Sequence, residues 1–183
     1  FSYNIIHLIA AKGRNVNIVN GREENIESID LVFDSNHIII GPGPGRPEIN
    51  PFSMAVASRA LKEKKVNVLG ICLGHQALGV ADGMELIECP SGPVHGIPVE
   101  IIHDKKGLFK GIGSCVMTRY NSLILNGASK TLNVNATDIS GLQIMGLTNN
   151  NNIHGIQFHP ESIGSIKGIS LLNNFLTKKR IIE

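Results

Sequence analysis

Cysteine and histidine are the side chains best suited to covalent and proton-transfer chemistry near neutral pH, and one cysteine here is set apart by its neighbours. In "VNVLGICLGHQALG", Val66 to Gly79, an apolar run ends at Cys72, held between Gly70 and Gly74. A strand that turns sharply into a helix strains its turn residue and leaves no room for flanking Cβ atoms. G-x-C-x-G is therefore the pattern of a nucleophile elbow that carries a thiol. Such an elbow presents its side chain at the carboxyl end of a sheet, where open α/β folds keep their sites. The helix start behind it favours thiolate, and the backbone N–H of Leu73 is placed to face a developing oxyanion. The same letters also fit an inert core cysteine beside a tight turn, so the pattern alone leaves both readings open.

A thiol nucleophile needs a proton partner, and the chain offers seven histidines. His75 sits on the new helix, too close in sequence to face Cys72. His159 follows the apolar "NIHGIQF" and precedes Pro160, which puts it at a strand end in a constrained loop. Glu161, two residues on, could accept a hydrogen bond from the imidazole and fix its tautomer, the third role of a triad. A solvated turn carboxylate is the plainer reading. In "GPGPGRP", residues 41–47, alternating Gly and Pro make a stiff loop whose backbone N–H groups can approach a ligand. The loop could complete an oxyanion hole opposite the elbow, though alone it reads more simply as a rigid turn. The loop lacks the Lys and Ser/Thr of a P-loop, which argues against nucleotide binding.

The elements that must position these residues alternate. Residues 16–19 and 37–40 are β-branched and predict strands; 52–61 has helical periodicity, with Phe52, Val56 and Ala60 on one face. Residues 66–71 predict the next strand and 72–79 the start of the next helix, an order that implies right-handed βαβ crossovers. Segments 94–102, 114–118, 123–125, 132–137, 144–147 and 153–157 predict short strands with short connections, which suits antiparallel pairing. The asparagines 149–152 predict a turn. Residues 168–176 predict a closing amphipathic helix with Ile169, Leu172 and Phe175 as its apolar stripe. The expected fold is α/β: a doubly wound, mostly parallel open sheet with helices on both faces plus a small antiparallel sheet. No linker is visible, so 1–183 reads as one domain.

Composition agrees. Of 183 residues, 42% are hydrophobic and 17% charged, which suits a globular chain. A net charge of +2 is too small and scattered to argue for nucleic acid. The short basic runs at 62–65 and 178–180 read as solvated helix ends. No apolar run reaches the roughly 18 residues of a membrane span, and no signal peptide is visible. Three widely spaced cysteines without a C-x-x-C pair argue against a disulfide framework or a zinc site. They point to a reducing compartment, the cytoplasm or a reducing organelle lumen such as a plastid.

"GICLGHQ", "GPGPGRP" and "QFHPES" (Gln157 to Ser162), in this order and spacing, resemble the class I, triad-type glutamine amidotransferases. "TRYNSL" (Thr118 to Leu123) and His95-Gly96 are similar to the glutaminase subunit of anthranilate synthase and of aminodeoxychorismate synthase. The resemblance runs from "FSYN" to the last helix. It implies that Cys72 is the nucleophile and that His159 and Glu161 complete the triad. Gly43, Pro44 and Gly45 would line the oxyanion hole with Leu73, and Gln76 would touch glutamine. The backbone at Ser122 and Leu123 would hold the substrate's α-amino and carboxylate end. It further implies no metal or organic cofactor in this subunit. The implied partner is a chorismate-binding synthase subunit, itself using Mg2+, in a heterodimer or heterotetramer.

Departures from the resemblance are Asn121 in place of a histidine, Ile97 in place of a lysine, and "ADG" (81–83) in place of aromatic-Gly-Gly. A first strand with an Asp-rich turn, expected ahead of "FSYN", is absent, so the domain is expected to be truncated at its N-terminus.

The leading expectation is a glutaminase subunit for tryptophan synthesis. The same role in folate synthesis, or in both pathways, stands beside it. An amidotransferase domain of GMP or carbamoyl phosphate synthesis fits "GPGPGRP" and "TRYNSL" less well. A silent scaffold subunit would not need the three triad residues intact, and a peptidase or esterase would act on peptides or esters. A glutamine-analogue electrophile separates the enzyme from the scaffold: selective labelling of Cys72 over Cys89 and Cys115 is expected, and no labelling supports the scaffold.

Overall fold

The computed structural model describes residues 2–21, 28–63 and 65–179. Phe1, and Lys64 and Arg180 of the two basic runs, lie outside them. The chain opens with α1 (Ser2–Ala10), which buries Ile5 and Ile9, and α2 (Ile29–Phe33). Strand β1 (His37–Ile40) leads through the Gly-Pro loop to α3 (Pro51–Lys62), with Pro51 in the first turn, where no N–H is needed. Its face of Phe52, Val56 and Ala60 is buried as the periodicity predicts, with Ala57 added. Strand β2 (Asn67–Ile71) is buried at every position and runs into α4 (Leu73–Ala81).

The second half is strand-rich. It holds β3 (Glu85–Glu88), β4 (Val94–His103), β5 (Cys115–Asn121), β6 (Leu123–Asn126), β7 (Asn133–Asp138), β8 (Ile144–Thr148) and β9 (Ile153–Ile156). Helix α5 (Gly168–Leu176) closes the described chain.

Seven strands form one sheet in the order β1-β2-β9-β8-β7-β4-β5, and β3 pairs with β6 in a small antiparallel sheet. The expected open sheet with a small accessory sheet is therefore present. Its parallel part is β1-β2-β9, and the remaining neighbours pair antiparallel. Alternation along the central strands feeds two cores. Ile38, Ile40 and Val68 pack with α2, α3 and α4 on one face. Ile39, Leu69 and Ile71 pack with α1 and α5 on the other. The Phe109, Phe158 and Phe175 side chains are completely buried in the second core, and each contributes about 1.5–3 kcal/mol by leaving water.

Return of the chain to the centre depends on the asparagine turn between β8 and β9. Asn149 Oδ1 accepts the backbone N–H groups of Asn151, Asn152 and Ile153. Asn152 then donates from Nδ2 to Val66 O at 2.7 Å, and its own carbonyl accepts Val68 N–H at 2.7 Å. These bonds register β9 against β2.

Two expectations need correction. Residues 16–19 are not a strand: they make no ladder among the described residues, and Ile18 and Val19 are exposed. A β-branched segment becomes a strand only when a neighbour accepts its backbone groups. A cleft of about 620 Å³, lined among others by Ile9, Val16, Ile38 and Phe52, separates this segment from β1. In α5, Ile169 is half exposed and the buried stripe is Leu171, Leu172, Phe175 and Leu176. That i, i+1, i+4, i+5 pattern follows the helical period, from which Ile169 is displaced. Strand β3, unmarked by the sequence, buries only Leu86 while Glu85 and Glu88 stay exposed.

The β2–α4 junction allows no side chain at its glycines. A Cβ on Gly70 would lie 2.5 Å from Gly74 backbone atoms, and one on Gly74 would collide with the Ile40 carbonyl of β1. Gly74→Ala is expected to lower stability by about 3 kcal/mol, because the obstructing atom belongs to a central strand that cannot move aside. Chemical denaturation checks this; an unchanged midpoint would contradict the packing described.

Candidate active site

Cys72 stands at φ 52°, ψ −102°, a left-handed conformation for a residue with a side chain. The surrounding sheet holds it there: Cys72 N–H donates to Ile156 O of β9 at 2.8 Å, and its carbonyl accepts Gln76 N–H at 3.1 Å. The strained turn places the thiol at the carboxyl end of β2, as the glycines predict. Burial then acts against ionisation. Cys72 is 7% exposed, and desolvation pushes its pKa from 9.0 up to about 12. The Leu73 backbone N–H lowers it, the Glu161 carboxylate raises it, and Arg119 and Gln157 lower it. The expectation that the helix start would favour thiolate is therefore corrected: that help is present but smaller than the desolvation.

His159 lies just past β9, the parallel neighbour of β2. Its Nδ1–H donates to Glu161 Oε1 at 2.7 Å, with both side chains buried. A carboxylate only accepts, so this bond puts a hydrogen on Nδ1, and in the neutral ring Nε2 is then the accepting nitrogen. The loop that carries the pair is itself anchored. His159 N–H donates to Thr118 O at 2.9 Å, Ser165 Oγ donates to His159 O at 2.5 Å, and Thr118 N–H donates back to Ser165 Oγ at 2.9 Å. Tyr120 packs edge-on against the imidazole, with centroids 5.1 Å apart.

The remaining predicted residues gather around this centre. A Cβ on Gly43 would lie 3.6 Å from Leu73 Cδ1, so the Gly-Pro loop borders the elbow. Gly43, Pro44 and Gly45 are exposed, and Gly45 has φ +84°. Gln76 is buried; its Nε2 donates to Leu123 O at 2.9 Å and to Gln157 Oε1 at 3.1 Å. A ligand can therefore meet only its Oε1. Ser122 is exposed, with Oγ 3.4 Å from His95 Nε2 beside the β4 bulge at Gly96. Its carbonyl accepts Cys89 N–H at 2.8 Å. His75 is fully buried, and desolvation pushes its imidazole down to about 3, so it is neutral and packs against Gly155. Among the described residues no three His, Cys, Asp or Glu side chains gather as a metal site, and no helix is long and apolar enough to cross a membrane.

Residues that the motifs did not single out also shape the site. Ser165 anchors the His159 loop, and Gln157 is completely buried with Nε2 3.7 Å from Cys72 Sγ. The available signal for Gln157 was a polar side chain between the apolar Ile156 and Phe158 just past a strand, which burial would force to find partners.

A strained cysteine leaving β2 and a buried His–Glu pair leaving its parallel neighbour β9 form the constellation that thiol-dependent acyl transfer calls for. Residues 1–179 match the family model "Glutamine amidotransferase class-I", and the chain belongs to that family. It is 37% identical over 182 residues to the bifunctional protein TrpGD of Thermotoga maritima, covering 96% of this chain and 30% of that one. It is 34% identical to anthranilate synthase component 2 of Porphyra purpurea, covering 96% and 93%. It is 33% identical to the aminodeoxychorismate synthase of Streptomyces griseus, covering 96% and 24%. The crystal structure of a provisionally assigned GMP synthase component from Thermoplasma acidophilum superposes with TM-score 0.82 at 15% identity, covering 96% and 86%. The chain is a glutamine amidotransferase.

With the resting thiol pushed up to about 12, alkylation of Cys72 by a neutral reagent in the absence of glutamine is expected to climb steadily from about pH 7 to about pH 10. A plateau reached below about pH 8 would show a thiolate already formed and contradict the dominance of burial.

Proposed function

We propose that this chain is the glutaminase component of an anthranilate synthase. It hydrolyses L-glutamine and delivers the ammonia to a chorismate-binding synthase subunit, in a heterodimer or heterotetramer. Cys72 Sγ attacks the side-chain amide carbon of glutamine while His159 Nε2 takes the thiol proton. The oxyanion is met by the backbone N–H groups of Leu73, Gly43 and Gly45, with Pro44, which has no N–H, stiffening the loop between the glycines. His159 returns the proton to the leaving nitrogen, the C–N bond breaks, and ammonia departs from a γ-glutamyl thioester. His159 then activates water; its attack breaks the C–S bond and releases glutamate and the thiol. Glu161 keeps the imidazole in the tautomer that both half-reactions need. These steps use no metal or organic cofactor in this chain, and the partner's own reaction uses Mg2+.

The observation that carries the chemistry is the 2.7 Å His159–Glu161 contact beyond the strand that pairs with the one leading into Cys72. The near full-length match to component 2 relatives supports the anthranilate assignment. The aminodeoxychorismate synthase match supports the second reading, in which the same ammonia serves folate synthesis. Three buried free cysteines suit a reducing compartment, the cytoplasm or a plastid-like lumen.

Cys72→Ala, assayed with the natural partner, is expected to lose glutamine-dependent synthesis by more than about 10³-fold and to keep ammonia-dependent synthesis. Glutamate release by the variant would overturn the nucleophile. An ortho-aminated chorismate product supports the anthranilate assignment, and a para product replaces it with the folate one.

A further inference from the structure

Gln157 is 0% exposed and Gln76 is 3% exposed. A buried primary amide left unpaired is costly, so both must place their N–H groups and carbonyls with care. The orientation of each is fixed by one backbone atom. Leu123 O can only accept, so the Gln76 amide must turn its nitrogen toward it, and Nε2 donates there at 2.9 Å. The second hydrogen of that nitrogen then points at Gln157, which must present Oε1; the contact is 3.1 Å. With its oxygen committed, Gln157 has only its nitrogen to offer Cys72 Sγ, at 3.7 Å.

The chain of contacts continues the other way. Leu123 O also accepts Asn121 Nδ2 at 3.0 Å, and Asn121 Oδ1 accepts Arg119 Nε at 3.2 Å. Arg119 and Asn121 are buried as well. Two donors, Asn121 Nδ2 and Gln76 Nε2, therefore converge on the Leu123 carbonyl, and from Gln76 the donors run on through Gln157 to the sulfur.

An amide N–H locked onto sulfur discriminates between its two states. It strengthens when the sulfur is anionic and has less to offer a neutral thiol. The resting thiol is deeply desolvated, and a donor with no competing partner matters most in such surroundings.

We propose that Gln157 is a further catalytic residue, donating its amide N–H to the Cys72 sulfur as negative charge forms there. Gln76 is a positioning residue that holds Gln157 in this orientation and ties it to the carbonyl of Leu123. Because the proposed substrate-binding segment and the nucleophile share this relay, a glutamine seated at Ser122 and Leu123 steadies the donor that readies the thiol. The inference rests on the assignment of Cys72 as nucleophile.

The test is the pH dependence of Cys72 alkylation by iodoacetamide in Gln157→Leu and Gln157→Glu, on the full chain. Gln157→Glu keeps the shape but offers no N–H when ionised. Both variants are expected to move the profile upward by about one pH unit, which slows labelling at fixed neutral pH about tenfold. Glutamine-dependent kcat with the partner should fall about tenfold while KM changes less, and ammonia-dependent synthesis should be unchanged. Gln76→Leu should shift the profile in the same direction by a smaller amount, which keeps the proposal testable if Gln157→Leu fails to fold. Profiles superimposable on the wild type, or shifted downward, overturn the relay. The two readings fail separately: glutamate release by Cys72→Ala removes the nucleophile, whereas an inactive Cys72→Ala with unshifted Gln157 variants removes only the relay.

Discussion

The pairing of β9 with β2 is the contact on which the site depends. Residues eighty-odd positions apart in sequence are brought into parallel register, Val68 to Ile153 through Ile71 to Ile156. The same ladder closes on the elbow itself, since Cys72 N–H donates to Ile156 O at 2.8 Å. A parallel pair ends with both carboxyl termini on one edge, so the segments leaving β2 and β9 must emerge side by side. Cys72 leaves one strand, and Gln157, His159 and Glu161 leave the other. The fixed order of the two strands, more than any local motif, assembles the chemistry.

Burial at this edge has two opposing effects. It dries the site, which strengthens every hydrogen bond made there, the 2.7 Å His159–Glu161 bond included. It also holds Cys72 as a thiol, with a pKa pushed up to about 12. Such a cysteine is a poor nucleophile at rest and becomes one only when its proton has somewhere to go and its charge something to meet. In the proposed mechanism the imidazole, oriented by Glu161, supplies the first. The Leu73 N–H and the Gln157 amide supply the second. The arrangement favours a thiolate formed during attack over one standing ready, which also spares the thiol from adventitious oxidation.

Much of this was legible in the sequence because it rests on local rules. The glycines around Cys72 announced a junction with no space for Cβ atoms, and Gly70 and Gly74 abut backbone there. His159 before Pro160 announced a strand end. What sequence could not show was competition between neighbours. Residues 16–19 have strand composition but no ladder among the described residues. Ile169 fits an apolar count but lies off the face that α5 buries. The helix start behind Cys72 was visible, whereas the larger desolvation opposing it depends on tertiary packing. Gln157 stood inside the "QFHPES" motif, but its role appears only once the Gln76 amide, anchored on Leu123 O, is seen to turn the Gln157 nitrogen toward Cys72.

Capture of the covalent intermediate tests the central claim most directly. Acid-quenching the chain, complexed with its partner, during turnover of L-glutamine and mapping the adduct by fragmentation mass spectrometry should place a γ-glutamyl group on Cys72. Fragmentation is needed because Cys72 and Cys89 are separated by no lysine or arginine. A γ-glutamyl group on Cys89 or Cys115, or steady glutamate release with Cys72 chemically blocked, would contradict the assignment of this elbow as the reacting centre.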